Sequence, residues 1–178
     1  MRLLIAFLFL STTAFAQSVN EPDSIVHINW LTFEEAVRLN AENPKKMYID
    51  VYTDWCGWCK KMDKSTFADK EVADYINTNF YPVKLDAEQR DSVVYRGHSF
   101  KYDPSQGRRG VHELAVTLLD GKMSYPSYVY LNEQEQKLTV SPGYKTKDQI
   151  LLELKFLGEN HFEKMTFDEY KAKVEGQK

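Results

Sequence analysis

Cys56 and Cys59 are the only cysteines of the 178-residue chain, and two residues separate them. Dithiol chemistry needs a thiolate that attacks a foreign disulfide and a second thiol that attacks the resulting mixed disulfide and frees the product. The flanking sequence assigns those roles. Met47 to Tyr52 is an apolar, β-prone run that reads as a buried strand delivering the first thiol to a turn, and Cys59 to Phe67 has helix-compatible composition, with Met62 and Phe67 available for an inner face. Cys56 is thus expected at a helix N-terminus. Unsatisfied backbone N–H groups and the positive end of the helix dipole favour a thiolate there, lowering the pKa of Cys56 and making it the exposed nucleophile. Cys59, one helical turn further in, is the resolving thiol. Two other readings compete, an inert structural disulfide and half of a metal site. So short a loop constrains the unfolded chain little, and a zinc site wants four ligands where no second cysteine pair exists. No His follows Cys59, so the haem-attachment pattern is absent, and redox chemistry is the reading taken.

The residues around the pair resemble the thioredoxin superfamily. That family's strand with a buried acid, its Trp and its Cys-Gly-x-Cys-Lys run appear in order as Tyr48-Ile49-Asp50, Trp55 and Cys56-Gly57-Trp58-Cys59-Lys60. Trp58 departs from the Pro of thioredoxin and the His of protein disulfide isomerase, which leaves redox direction open on the motif alone. Ser124-Tyr125-Pro126, opening the apolar run Ser127 to Leu131, is a second match. On residue grounds Pro126 is either a trans strand-start or a cis-proline; the resemblance implies cis. The same resemblance makes Asp50 the carboxylate that exchanges a proton with Cys59, a role served by a pKa raised through desolvation. It puts the substrate-facing surface on Trp55, Gly57, Trp58, Tyr125 and Pro126, and it implies no cofactor and no metal. Lys84 falls where thioredoxins carry a lysine beside the buried acid; a solvent-facing strand residue is the equal alternative.

These residues have to be positioned by an α/β domain of thioredoxin fold, a central mixed sheet flanked by helices, expected over residues 30–160. Thr32 to Glu35, Thr146 to Gln149 and Thr166 to Glu169 each have the capping-box pattern that opens a helix. A further helical piece is expected over Asp69 to Asn77, strands over Phe80 to Asp86, Pro126 to Leu131 and Leu138 to Val140, and a helix over Val111 to Leu119. Residues 87–124 exceed the connection thioredoxins have here. The excess is an insertion at about 87–108, a β-hairpin turning at Gly97-His98 before the cis-proline loop. Either it is surface decoration or, with Tyr95, Phe100, Tyr102, Arg96, Arg108 and Arg109, it reaches the rim of the active site and selects a protein partner. Residues 161–178 supply a last helix and tail. The four histidines are scattered and read as surface or satisfied residues.

Met1-Arg2, the apolar stretch Leu3 to Leu10 and Ala14-Phe15-Ala16 have the pattern of a secretory signal peptide, with cleavage expected after Ala16. The apolar stretch is shorter than the roughly 20 residues that span a bilayer, so no membrane anchor is expected after cleavage. Residues 17–29 read as a linker with a short strand at Ile25 to Ile28. A formal charge of −3 without a basic stripe argues against nucleic acid as a partner. The expected protein is therefore a periplasmic or secreted thiol–disulfide oxidoreductase acting on protein thiols and disulfides. The retained acid resembles the reducing branch, so a reductase is favoured, and outside the cytoplasm it needs a membrane or extracytoplasmic electron-transfer partner. The alternatives are a redox-inert binding or chaperone-like module on the same scaffold, or a disulfide oxidase or isomerase.

Overall fold

A computed structural model describes residues 26–176, so the signal peptide and most of the linker lie outside the described residues. Two strands meet at the centre of the main sheet. Strand β1 (Met47–Tyr52) runs parallel to β2 (Tyr81–Asp86), two helices later, and antiparallel to the last pair, β7 (Ser127–Leu131) and β8 (Lys137–Pro142). The order β2-β1-β7-β8 buries β1 on both faces, which is why its sequence is a nearly continuous apolar run. Side chains alternate across it. Met47, Ile49 and Val51 join the core under α1 (Phe33–Glu42) and α4 (Glu113–Leu118), while Tyr48 joins the core under α2 (Gly57–Lys64), α3 (Lys70–Asn79) and α5 (Lys147–Gly158). Asp50, two residues beyond Tyr48, projects toward this second face.

That face has an aromatic floor. The Tyr48 ring lies 5.3 Å from Tyr130, 5.6 Å from Tyr128 and 6.3 Å from both Phe67 and Phe80. Each such pair contributes about 0.5–1.5 kcal/mol beyond area burial, so the ground next to Asp50 is rigid. The three expected capping boxes are all formed, at the starts of α1, α5 and α6 (Phe167–Glu175). In each, the threonine oxygen accepts an N–H at the third helical position, and that residue's carboxylate or amide answers the threonine N–H.

Several boundaries differ from expectation for local reasons. Among the described residues 26–30 there is no strand; Ile28 packs into the core, and Leu31 makes a single parallel bridge to Val83. The hairpin of β3 (Val93–Tyr95) and β4 (His98–Phe100) turns at Arg96-Gly97, both at positive φ, leaving His98 in the strand. A two-residue turn of this kind needs positive φ at both central positions, and Gly97 supplies one at no steric cost. The helix expected from Val111 begins at Glu113. Strand β5 (Tyr102–Asp103) pairs with β6 (Val111–His112) and claims that backbone, and His112 becomes the N-cap. Its Nδ1 accepts from the Leu114 N–H at 3.2 Å, and its Nε2 donates to the Asp91 carbonyl at 3.1 Å. The strand expected over Leu138 to Val140 extends to Lys137–Pro142.

Of the two alternatives for the insertion, the hairpin itself follows the first and lies away from the dithiol. Tyr95 meets Phe33 edge-on at 5.1 Å, and its hydroxyl donates to Glu135 at 2.8 Å, while Arg96 donates to the Gln134 carbonyl at 3.1 Å. Residues 134 and 135 lie in the β7–β8 turn, at the opposite end of β7 from Pro126. Tyr95 is half-buried in these contacts, while Val94 on the same strand is exposed.

Candidate active site

Strand β1 ends at Tyr52, and the chain turns through Thr53, Asp54 and Trp55 to place Cys56 as the N-cap of α2. Its Sγ accepts the Cys59 N–H at 3.1 Å, taking the place a serine or aspartate oxygen fills at other helix starts. Cys56 and Cys59 are joined in a disulfide in this structure. Both are buried, at 4% and 1% exposure, so Cys56 is much less open than the reading of it as an exposed nucleophile expected. What stands open beside the sulfurs is tryptophan: Trp55 and Trp58 are 52% and 56% exposed. Burial of this much aromatic surface by a partner would be favourable, since such side chains dominate interface energetics.

Asp50 lies beneath α2 and is 1% exposed. It faces Lys84 across the β1–β2 register, and the Lys84 ammonium donates to Asp50 Oδ2 at 2.6 Å. The same ammonium donates to Asp63 of α2 and lies 4.9 Å from the Trp30 ring and 5.0 Å from the Tyr52 ring. Lys84 is thus the partner of the buried acid, not a solvent-facing residue. Asp50 Oδ1 is buried with no hydrogen-bond partner among the described residues. Burial raises the Asp50 carboxyl to about 6 from an ordinary 3.8, overcoming the opposing pull of the Lys84 charge and hydrogen bond. For Lys84, burial alone would lower the pKa, and the two carboxylates outweigh it, so the ammonium is held charged. The result is a carboxyl that gains or loses a proton near neutrality under the helix carrying both sulfurs.

The Tyr125–Pro126 peptide is cis. Pro126 is buried at the mouth of β7, its carbonyl held by the Gly143 N–H at 2.8 Å, and half-buried Tyr125 meets Trp55 edge-on at 5.8 Å. The structure therefore brings Asp50, Trp55, Cys56, Gly57, Trp58, Cys59, Lys84, Tyr125 and Pro126 to one end of the sheet. Arg109, expected at the rim, is there, and three further neighbours, Asp63, Glu88 and Tyr144, went unread in the sequence. Asp63 follows Cys59 by four residues, one helical turn, which was a usable signal. Glu88 accepts the Trp55 indole N–H at 2.8 Å, Arg109 lies 5.9 Å from the Trp55 ring, and Tyr144 lies 5.4 Å from Trp58. These come from loops whose convergence has no local sequence pattern. Among the described residues no cluster of His, Cys, Asp or Glu could hold a metal ion.

A family model, Thioredox_DsbH, described as "Protein of unknown function, DUF255", matches residues 16–157. An uncharacterized protein of Caenorhabditis elegans is 32% identical over 78 residues, 43% of this chain and 10% of that protein. The thiol:disulfide interchange protein DsbD of Pseudoalteromonas atlantica is 30% identical over 67 residues, 37% of this chain and 11% of that protein. This chain spans about a tenth of the length of either relative. The solved structure described as a DsbH oxidoreductase superposes with a TM-score of 0.57 at 13% identity, covering 83% of this chain and 95% of that one, a likeness of fold. The chain belongs to the Thioredox_DsbH family, it has a thioredoxin-like fold, and Cys56 and Cys59 are its Cys-x-x-Cys pair.

Proposed function

We propose that this protein reduces disulfides of other proteins outside the cytoplasm, with Cys56 attacking, Cys59 resolving and Asp50 managing the Cys59 proton. The observation that carries the reading is the Cys56 Sγ accepting the Cys59 N–H at the start of α2, above a buried carboxyl raised to about 6. In the reduced protein the same N–H and the helix dipole stabilise a Cys56 thiolate. That thiolate attacks one sulfur of a substrate disulfide; a Cys56–substrate disulfide forms and the other substrate sulfur leaves as a thiolate. Asp50 then accepts the Cys59 proton, and Cys59 displaces the substrate from Cys56, leaving the intramolecular disulfide and a substrate reduced by two electrons. Tyr125 and Pro126, with Trp55, Gly57 and Trp58, form the surface on which the substrate chain lies.

The reductase direction is favoured by the retained acid, which assists the resolving step. The cycle closes when a dithiol electron donor of the membrane or periplasm reduces the Cys56–Cys59 disulfide; the relative named thiol:disulfide interchange protein supports a partner of that kind. Extracytoplasmic location rests on the signal-peptide pattern of residues 1–16. The same reading puts the functional domain at residues 30–160, with 17–29 as linker. Insulin reduction by the mature protein tests the activity. Turnover by the wild type, none by Cys56→Ser, and a trapped mixed disulfide in Cys59→Ser are expected; equal rates for wild type and Cys56→Ser would mean that the disulfide is static.

A further inference from the structure

A cleft of about 620 Å³, reached from the disulfide through Trp55, the neighbour of Cys56, is lined by Trp55, Tyr125 and Met123 together with the loop of residues 106–110. This loop, and not the hairpin, is the part of the insertion that reaches the site. It is braced from within. The Tyr102 hydroxyl donates to the Arg109 carbonyl, the Arg90 guanidinium covers the Tyr102 ring at 3.8 Å, and Asp103 accepts from the Ser105 N–H at 2.8 Å. Gly110, at φ +77°, lies so close to the Tyr102 ring that any Cβ would overlap it. Arg108 and Arg109 are therefore presented to the cleft from a fixed loop.

Their charge is not spent on the protein itself. Arg38 and Arg96 pair with Glu42 and Glu135, but among the described residues no carboxylate pairs with Arg108 or Arg109. Glu88, the one acid lining the cleft, is occupied by the Trp55 indole. The chain as a whole is net negative, so unpaired cations beside the sulfurs run against its background. Exposed guanidinium groups next to an exposed indole match a peptide that offers a carboxylate and an apolar side chain near its cysteine.

We propose that this cleft takes the chain segment flanking the reactive cysteine of the substrate, and that Arg108 and Arg109 read an Asp or Glu in it. The substrates are then proteins whose reducible disulfide has an acidic flank. The proposal rests on the redox reading of Cys56 and Cys59. Its test uses the reduced mature chain and peptides carrying one cysteine as a mixed disulfide with thionitrobenzoate, differing only in two flanking residues: Glu-Glu, Gln-Gln or Lys-Lys. Cys56 attacks the peptide sulfur and thionitrobenzoate leaves as the coloured thiolate; Cys59 then releases the peptide thiol. The expected order of kcat/KM is Glu over Gln over Lys, with roughly a fivefold Glu-to-Gln ratio at low salt that narrows at high salt, as exposed ion pairs do.

In the Arg108→Gln/Arg109→Gln double variant that ratio is expected to fall to about one. An unchanged ratio would overturn the proposal. So would its loss in a Lys60→Gln/Lys64→Gln variant with retention in the arginine variant, since α2 would then read the charge. If no peptide releases thionitrobenzoate, the redox reading fails separately, and the cleft is judged by binding of cysteine-free Glu-Glu and Lys-Lys peptides to the oxidised chain, followed by tryptophan fluorescence. Tighter binding of the acidic peptide supports the cleft assignment, and equal binding overturns it.

Discussion

Asp50 carries a desolvation cost, being 1% exposed with one carboxylate oxygen unpartnered among the described residues. Its carboxyl is raised from 3.8 to about 6, so between those values the folded protein holds the proton more tightly than the unfolded chain does. Stability is therefore lost as pH climbs from about 4 to about 6, and the full penalty stands above that; Lys84 stays charged throughout this window and does not change the sign. The gap corresponds to about 3 kcal/mol at most. Asp50→Asn should raise stability at pH 7 by about 1–3 kcal/mol and have little effect at pH 4, which denaturant titrations at the two pH values measure. The same variant should slow resolution of the mixed disulfide by about 10²–10⁴-fold while sparing the first attack by Cys56. Single-turnover kinetics separate the two steps, and unchanged resolution would remove Asp50 from the mechanism. Asp50 was legible as an acid inside an apolar strand, because nothing else in Met47 to Tyr52 is charged. The second role of Lys84, holding Asp63 as well as Asp50, was not, because it depends on α2 bringing Asp63 within reach of Lys84 on β2.

At the scale of elements, local chemistry was legible wherever a side chain satisfies its own backbone. The three threonine capping boxes and strand β1 follow directly from short patterns. The hairpin of the insertion was legible, but its placement was not, because contacts distant in sequence fix it: Tyr95 is held by Phe33 and Glu135, and beyond the hairpin Val111-His112 is drawn into a strand by Tyr102-Asp103. These contacts give two expectations. Tyr95→Ala should cost about 2 kcal/mol, from the lost ring contact and hydroxyl bond, without changing the rate of dithiol exchange. Thermal unfolding and insulin reduction together check it; a rate that falls in a folded variant would tie the hairpin to the site. Gly110→Ala should destabilise the protein by about 1–3 kcal/mol, because the residue sits at positive φ against the Tyr102 ring. A melting temperature equal to that of the wild type would show that the loop is looser than its bracing implies.

For the whole molecule, the fold is a means of bringing one end of the sheet to a helix N-terminus. Strand β1 supplies the acid, the adjoining α2 the sulfurs, β2 the lysine and the start of β7 the proline, so three stretches far apart in sequence meet at one pole. The opposite pole holds the hairpin and the β7–β8 turn, and chemistry and bracing are thereby kept apart. The central claim is that the Cys56–Cys59 disulfide opens and closes as part of the function and is poised to reduce. An equilibrium redox titration of the mature protein against glutathione tests it most directly. A reversible midpoint between about −200 and −270 mV is expected. A midpoint near −120 mV would contradict the reductase reading, and a disulfide that stays closed below about −300 mV would mark it as structural.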